Sequence, residues 1–391
     1  MMVTIGSQAV PPTRSGALWK TGSFTLAHFL NDTYPTLYLA LLPILMTAMH
    51  FSVALAGLLS SIAALTTQLL QPLMGLWADR MGTRYFVVGG LFVGSLMSTA
   101  ALAFSPSYGI FVSALLIAGL GNAAFHPHAS ALVGNLTRSR KGFGMGLFMI
   151  GGNFGRAIAP VAATTAFVYL GRRGLWVLAI PGIVMAAVMW YVMRPAPKPQ
   201  ARQVRIWTPA FRNGLKHAGN LLVVVMLRNL ASMATVTLVP ILWHSRHQPL
   251  SESAALLSVL FLIGSLGNMV GGVISDRLGA KPVLIGSAVA SSGFLWWFLH
   301  AHGVFIWITM GLLGFALYST GSVVMVYGQA LFPENKGMAS GLTLGVGNTL
   351  GALAVGGIGI LAKHTNIELS LATTACLLLV SIPFTLRLKS V

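Results

Sequence analysis

Long apolar runs, separated by short polar connections, fill almost the whole of this 391-residue chain. A helix needs about 20 consecutive apolar residues to cross the hydrocarbon core of a membrane. On that measure the pattern predicts an all-α polytopic membrane protein with twelve transmembrane helices. Their expected limits are 18–47, 53–78, 85–104, 108–134, 142–170, 174–194, 218–244, 252–275, 281–300, 303–331, 337–362 and 366–387.

The composition supports this prediction and excludes other classes. The chain is 55% hydrophobic and 8% charged, whereas soluble domains have about 25% charged residues. The single cysteine, Cys376, rules out an intrachain disulfide and a thiolate metal cluster. The first fifteen residues lack the apolar core of a signal peptide, so the first helix should remain in place. The chain shows no HExxH motif, phosphate-binding loop or nucleophile-and-base set, and we expect neither enzyme activity nor a cofactor.

The basic residues predict the orientation in the membrane. The net charge of +18 comes from 24 Lys and Arg against 6 acidic residues. The Lys and Arg residues are scattered through short loops instead of clustering on one soluble face, so nucleic acid is not an expected partner. Of the 24, 18 fall in the two terminal segments and in the alternate loops on the same side. By the positive-inside rule both termini are therefore predicted to be cytoplasmic.

The chain is predicted to consist of two similar halves. The longest polar stretch, 195–217, is rich in proline and basic residues and separates a six-helix bundle at 1–194 from a second one at 218–391. The sequence GLWADRMGTR at 75–84 recurs as GVISDRLGAK at 272–281. A parallel repeat of six helices is typical of transporters whose halves rock about a site near the membrane midplane.

The repeated GxxxDRxGxR loop in a six-plus-six arrangement resembles the major facilitator superfamily. Five further stretches are similar to its fosmidomycin-resistance group, namely HFLND (28–32), FHPHAS (125–130), GGNFG (151–155), VYGQALFP (326–333) and AKHTNIEL (362–369). This resemblance implies an antibiotic-resistance transporter of the bacterial inner membrane, which exports a small drug in exchange for protons by alternating access. The expected partners are the substrate, protons and the lipid bilayer, and the transporter is expected to be a monomer.

Asp32 is the one acidic residue of the six that falls well within a predicted helix, because the other five lie in loops or at helix ends. A charge at the centre of a membrane helix costs roughly 2.5–3.5 kcal/mol on insertion scales and usually marks a functional site. Burial raises the proton affinity of a carboxylate and a nearby cation lowers it. Because a rocking transporter alternates such environments, Asp32 is the predicted proton-coupling group. The alternative is a structural acid paired with an arginine.

Three histidines are candidates for relaying a proton to Asp32, because histidine titrates near neutrality. His28 lies four residues before Asp32, on the same helical face. His126 and His128 are two residues apart and would point roughly 200° away from each other in a regular helix. Histidine and carboxylate are also metal ligands, so divalent metal export remains an alternative, although the intramembrane arginines would repel a metal ion and no metal site is predicted.

Two arginines, Arg156 and Arg228, also fall inside predicted helices. With Asp32 they leave about one excess positive charge, which favours an anionic substrate such as a phosphonate or carboxylate bound bidentately. Alternatively, Arg156 forms a structural ion pair and Arg228 extends to the cytoplasmic surface. Asn31, Asn153 and Tyr327 complete the predicted substrate-binding set.

The repeated loops are predicted to form a cytoplasmic gate. The residues concerned are Asp79, Arg80 and Arg84 in the first half, and Asp276 and Arg277 in the second. In such a loop the aspartate can cap a helix N-terminus, and the arginine can pair across the halves in the outward-open state.

The direction of transport does not follow from these residues. Uptake of an organic anion by proton symport therefore stays open beside export. A membrane sensor that transports nothing, built on the same scaffold, is a further alternative.

Overall fold

The computed structural model describes residues 14–71, 73–74, 77, 83–137, 141–194, 209–332 and 345–389. Almost all of them are helical. The helices are α1 (Arg14–Thr33), α2 (Leu37–Met49), α3 (Val53–Ala64), α4 (Thr83–Phe104), α5 (Tyr108–Leu136), α6 (Lys141–Gly174), α7 (Ala179–Val192), α8 (Pro209–Ser245), α9 (Leu250–Leu278), α10 (Ala280–His300), α11 (Val304–Tyr318), α12 (Gly321–Leu331), α13 (Gly347–His364) and α14 (Ile367–Leu386).

The predicted all-α membrane architecture is confirmed. Helices occupy each of the twelve predicted intervals. Among the described residues, 8 helical ranges are long and apolar enough to cross a membrane, and one of them, Gly144–Val192, contains two predicted helices. The first and second intervals are interrupted and the eleventh is only partly described, so the count of twelve stays a prediction.

The first predicted helix is broken at its centre. A 3-10 turn at Tyr34–Thr36 separates α1 from α2. Proline lacks an N–H group and its ring clashes with the preceding turn of an α-helix, which accounts for the break at Pro35. The Thr36 hydroxyl donates to the carbonyl oxygens of Asp32 and Thr33, at 3.2 and 2.9 Å. Asp32 therefore lies in the last turn of a half-helix.

The tenth predicted helix is broken as well. α11 ends at Tyr318 and α12 begins at Gly321. The Ser319 hydroxyl donates to the Ala316 carbonyl, and the Thr320 hydroxyl donates to the Leu317 carbonyl. Side-chain hydroxyls therefore donate hydrogen bonds to backbone carbonyls at this break, as they do at the first one.

The linker prediction changes at one end. α8 begins at Pro209, ahead of the predicted start at 218. Proline is favoured in the first turn of a helix, where its missing N–H has no partner to lose. The rest of the predicted linker, 195–208, lies outside the described residues.

Among the described residues, two pairs of helices form the most extensive contacts between the halves that flank 195–208. α3 packs against α13, and α6 packs against α9. Within the first half, α1 lies against α6 and α4 lies against α5 and α7; within the second, α8 contacts α13 and α14, while α9 contacts α11. The functional side chains discussed below lie on α1, α5, α6, α8 and α11.

The α3–α13 contact is especially close. A Cβ atom on Gly57 would lie 2.8 Å from the Val355 carbonyl oxygen. The Ser61 hydroxyl donates to the Ala352 carbonyl at 2.6 Å and accepts from the Gly356 N–H at 3.2 Å. In the predicted orientation this contact lies in the half of the protein towards the periplasm.

Candidate functional site

Asp32 lies at the centre of a polar cluster inside the first half. The residue is 9% exposed. Its Oδ1 atom is 3.1 Å from Nε2 of His126, and its Oδ2 atom is 3.5 Å from Nε2 of His28 and 3.6 Å from Nε of Arg156. The Asn31 amide donates to Oδ1 at 3.4 Å. Three helices, α1, α5 and α6, thus bring basic side chains to one carboxylate.

The protonation of the His28 ring follows from its second hydrogen bond. The Nδ1 atom is 2.7 Å from the Phe148 carbonyl oxygen on α6. Because a carbonyl only accepts hydrogen bonds, Nδ1 carries a proton. The ring also stacks on that of Phe148, with centroids 4.0 Å apart. His28 is therefore held rigidly with Nε2 directed at Asp32.

Glycines on α6 make room for this arrangement. A Cβ atom on Gly152 would lie 2.6 Å from the His28 ring and 2.8 Å from Oδ2 of Asp32. A Cβ atom on Gly155 would overlap the Phe29 carbonyl oxygen. Small residues let membrane helices approach closely, and here they let α6 pass directly over the carboxylate.

Arg156 uses few of its N–H donors in hydrogen bonds among the described residues. Its Nη2 atom donates to the Asn153 amide oxygen at 2.6 Å. Its Nε atom is buried and makes no hydrogen bond among the described residues, although it lies beside Asp32. The side chain is 34% exposed. A guanidinium with five N–H donors thus keeps several of them available for a ligand.

Arg228 is in a different situation, inside the second half. It is 6% exposed, and its Nε atom donates to the Thr320 hydroxyl at 2.7 Å. Further donors reach the Ser287 hydroxyl and the carbonyls of Leu284 and Leu317. The carbonyl end of a helix favours a cation, so the end of α11 compensates part of this buried charge.

The two halves show related contacts at equivalent helices. Asn31 on α1 lies 3.3 Å from Nε2 of His126 on α5, which joins the first and fourth predicted helices of the first half. The Arg228–Thr320 bond joins the corresponding helices of the second half. Asn31 and Arg156 both contact the Asp32 carboxylate. Arg228 makes its hydrogen bonds within the second half and does not reach this cluster.

His128 lies on the opposite side of α5 from His126. Its Nε2 atom is 3.3 Å from the Met74 carbonyl oxygen, and its ring meets the Phe86 ring edge-on at 5.8 Å. The roughly 200° separation of the two histidines accounts for this divergence. Among the three predicted relay histidines, the structure brings only His28 and His126 to Asp32.

The remaining predicted residues are distributed elsewhere. The Tyr327 hydroxyl donates to the Lys389 carbonyl at 2.8 Å. Arg84 lies over the Trp190 ring at 3.4 Å and donates to its carbonyl, within the first half. Asp276 and Arg277 are exposed in the last turn of α9.

Two predicted gate residues, Asp79 and Arg80, lie outside the described residues. Among the described residues no ion pair joins Asp276 or Arg277 to the first half. The predicted gate therefore stays a prediction.

The cluster contains ligand types for a metal ion. The ligating atoms of His28, Asp32 and His126 lie within 4.8 Å of one another. The Arg156 guanidinium, however, already supplies a cation 3.6 Å from the carboxylate. This arrangement favours a proton and an anion over a divalent metal.

Some groups at the site do not follow from the sequence alone. The Phe148 carbonyl is a backbone group, so its side chain gives no signal of its role. Tyr318 and Ser232, whose hydroxyls are 2.7 Å apart, resemble ordinary packing residues; the signal for Tyr318 is the following Ser-Thr-Gly, where the helix breaks.

A helical membrane fold in two joined halves, with a buried carboxylate, histidines and arginine in its interior, is typical of transporters. Comparison with known families is specific: the model of the Major Facilitator Superfamily matches residues 24–356. The chain therefore belongs to the major facilitator superfamily.

Individual relatives agree with this assignment. The chain is 28% identical to the fosmidomycin resistance protein of Escherichia coli (strain K12) over 356 residues, covering 89% of this chain and 87% of that protein. It is 24% identical to a probable 4-methylmuconolactone transporter of Cupriavidus pinatubonensis over 347 residues, covering 85% and 81%.

Solved structures show the same fold. The nucleoside transporter NupG matches with a TM-score of 0.80 at 15% identity, covering 95% of this chain and 100% of that one. The D-xylose-proton symporter matches with a TM-score of 0.75 at 15% identity, covering 95% and 98%. The family model and the E. coli relative confirm the resemblance to the superfamily and to its fosmidomycin-resistance group.

Proposed function

We propose that the chain is a proton-coupled antiporter that exports a small anionic, fosmidomycin-like compound across the bacterial inner membrane by alternating access. One observation carries the proton coupling and the anionic substrate in this proposal. The buried Asp32 carboxylate lies within 3.1–3.6 Å of two histidines and one arginine. A carboxylate in the membrane interior is costly, so it is nearly always paired with such partners and usually marks a functional site.

The histidines support the proton half of the proposal. His28 donates from Nδ1 to a carbonyl, so its Nε2 atom directs a lone pair at Asp32 unless it is protonated. Two lone pairs facing each other repel, and a proton on either group relieves this. His126 lies 3.1 Å from the other carboxylate oxygen and provides a second route for the proton.

Arg156 supports the anion half. Its partial exposure, its single hydrogen bond to Asn153 and its buried, unbonded Nε leave donors for a phosphonate or carboxylate. Arg228, by contrast, is enclosed and donates to four groups. We therefore assign anion binding to Arg156, with Asn31 and Asn153 beside it, and a structural role to Arg228.

Proton binding and anion binding are linked through Asp32. A charged Asp32 attracts Arg156, whereas a protonated Asp32 releases its hold on the guanidinium. The proton state of the carboxylate therefore controls how strongly Arg156 attracts an anion. Coupling of this kind needs no contact between the substrate and the proton.

The relatives support export. The E. coli relative is named a fosmidomycin resistance protein, and removal of the drug from the cytoplasm is the simplest transport activity that gives resistance. The second candidate is proton symport of an organic anion. The Asp32–Arg156 pair favours that candidate, because a proton that frees Arg156 promotes the binding of an anion together with it.

Binding of fosmidomycin as a function of pH separates the two candidates. The titratable and charged groups facing Asp32 are His28 on its own helix, His126 on α5 and Arg156 on α6. Antiport predicts weaker binding as the pH falls, and symport predicts tighter binding. Asp32→Asn gives the background, because the ligand titrates equally in both proteins.

The assignment of the two arginines is tested by matched variants. Arg156→Met should weaken fosmidomycin binding at least tenfold, since a charge-assisted hydrogen bond contributes about 1.5–3 kcal/mol. Arg228→Met should keep the affinity but lower the melting temperature, because it leaves buried hydroxyls and carbonyls without donors. Isothermal titration and thermal unfolding measure these effects. The reverse pattern would show that Arg228 binds the substrate.

A further inference from the structure

Tyr318 is the last residue of α11, at the break in the tenth predicted helix. Its hydroxyl lies 2.7 Å from the Ser232 hydroxyl on α8, and either atom can be the donor. When Ser232 donates, the phenol proton is free for another acceptor. A tyrosine held in this way can present its O–H group to a ligand.

The ring of Tyr318 is seated against α9. A Cβ atom on Gly264 would lie 2.5 Å from the ring, so only glycine leaves this space. Phe261, one turn earlier on α9, has its ring centroid 6.0 Å from that of Tyr318. α9 in turn packs against α6, the helix that carries Arg156, across the halves, so α9 contacts both the Tyr318 ring and α6.

Asp32 and Tyr318 each lie beside a break in a helix, one in each half of the protein. Asp32 lies in the last turn before the first break, and Tyr318 directly precedes the second. Discontinuous helices commonly form the substrate sites of transporters, at the interface between the repeats. Arg156 lies on the first-half helix α6, which packs against α9 of the second half, and its buried Nε–H group makes no hydrogen bond among the described residues.

We infer that Tyr318, oriented by Ser232, forms the wall of the substrate site opposite Arg156 and donates a hydrogen bond to an anionic oxygen of the substrate. The inference rests on the proposed function and deepens it. The substrate class is an oxyanion with at least two oxygens, one for the guanidinium and one for the phenol. Binding then draws a group from each half to the same ligand.

Initial rates of fosmidomycin transport into proteoliposomes test this assignment. Tyr318→Phe keeps the ring on Gly264 and removes only the hydroxyl. It should raise KM about ten- to hundredfold, as expected for the loss of a hydrogen bond to a charged group, with the maximal rate nearly unchanged. Ser232→Ala should raise KM by a smaller factor, because the phenol remains but loses its orientation. Tyr108→Phe is the control, since its hydroxyl donates to the Leu55 carbonyl at 2.8 Å and the residue has no predicted role in binding.

A KM that rises in Tyr318→Phe and stays constant in Tyr108→Phe supports the inference. An unchanged KM in Tyr318→Phe, with a raised KM in Arg156→Met, would overturn the inference and leave the proposed function standing. An unchanged KM in both variants would overturn the two together. Thermal unfolding of each purified variant shows that a change in KM does not come from loss of folded protein.

Discussion

The Nε2 atom of His28 faces the Oδ2 atom of Asp32 across 3.5 Å, while Nδ1 of the same ring donates to a carbonyl on α6. The carbonyl fixes one ring proton on Nδ1. Any second proton of the pair must therefore lie on Nε2 or on the carboxylate. The pair is built to hold one exchangeable proton, and Arg156 at 3.6 Å responds to whether that proton is present.

Gly152→Ala tests whether the close passage of α6 over this pair matters. The new Cβ would lie 2.6 Å from the His28 ring, so either the ring or α6 must move. Displacements of this kind in a reacting site cost up to about a hundredfold in rate, and we expect at least a tenfold loss of transport. Gly146→Ala on the same helix meets no atom within 4 Å and should transport normally. Equal rates in the two variants would contradict the geometry described.

His126→Gln and His128→Gln separate the two histidines of α5. Glutamine retains hydrogen-bonding groups but does not titrate. Because His126 contacts Asp32 and His128 contacts the Met74 carbonyl, only His126→Gln should lower proton-coupled transport, by about tenfold or more. Proton flux in proteoliposomes measures this. A larger loss in His128→Gln would place the proton route on the other side of α5.

Gly359→Leu tests whether the α3–α13 contact closes one end of the transporter. A Cβ on Gly359 would lie 3.0 Å from the Val53 carbonyl, whereas one on Gly357 meets no atom within 4 Å. Leucine at 359 should therefore push the halves apart, and leucine at 357 should not. Spin labels on Thr47→Cys and Thr365→Cys, in a Cys376→Ser background, report the distance between the halves.

The Gly359→Leu variant should populate longer distances than the parent, and Gly357→Leu should reproduce the parent distribution. Identical distributions in both variants would show that this contact does not control the opening of that end.

Helical patterning predicted most of the fold, but proline alone did not predict the breaks. Pro43, Pro127, Pro160 and Pro240 remain inside helices, whereas Pro35 accompanies a 3-10 turn. At Pro35 the Thr36 hydroxyl donates to the carbonyls of Asp32 and Thr33, but hydroxyls also donate to the carbonyls of Pro43 and Pro127 inside continuous helices. The position of the break is therefore visible only when the backbone geometry is known.

Helical spacing in the sequence correctly predicted where the histidines lie relative to Asp32 and to each other. The four-residue interval placed His28 beside Asp32, and the two-residue interval separated His126 from His128. Spacing could not distinguish Arg156 from Arg228, because each lies in an apolar helix. Their difference depends on partners distant in the chain, such as Ser287 and Thr320 around Arg228.

The central claim is that Asp32 couples the proton to the substrate, and proton movement across a membrane tests it most directly. Proteoliposomes with an internal pH indicator receive fosmidomycin, and wild type is compared with Asp32→Asn, which keeps the size of the side chain but cannot exchange a proton. We predict a substrate-dependent proton flux in wild type that disappears in the variant. A full flux in Asp32→Asn, or substrate movement without protons in wild type, would contradict the account.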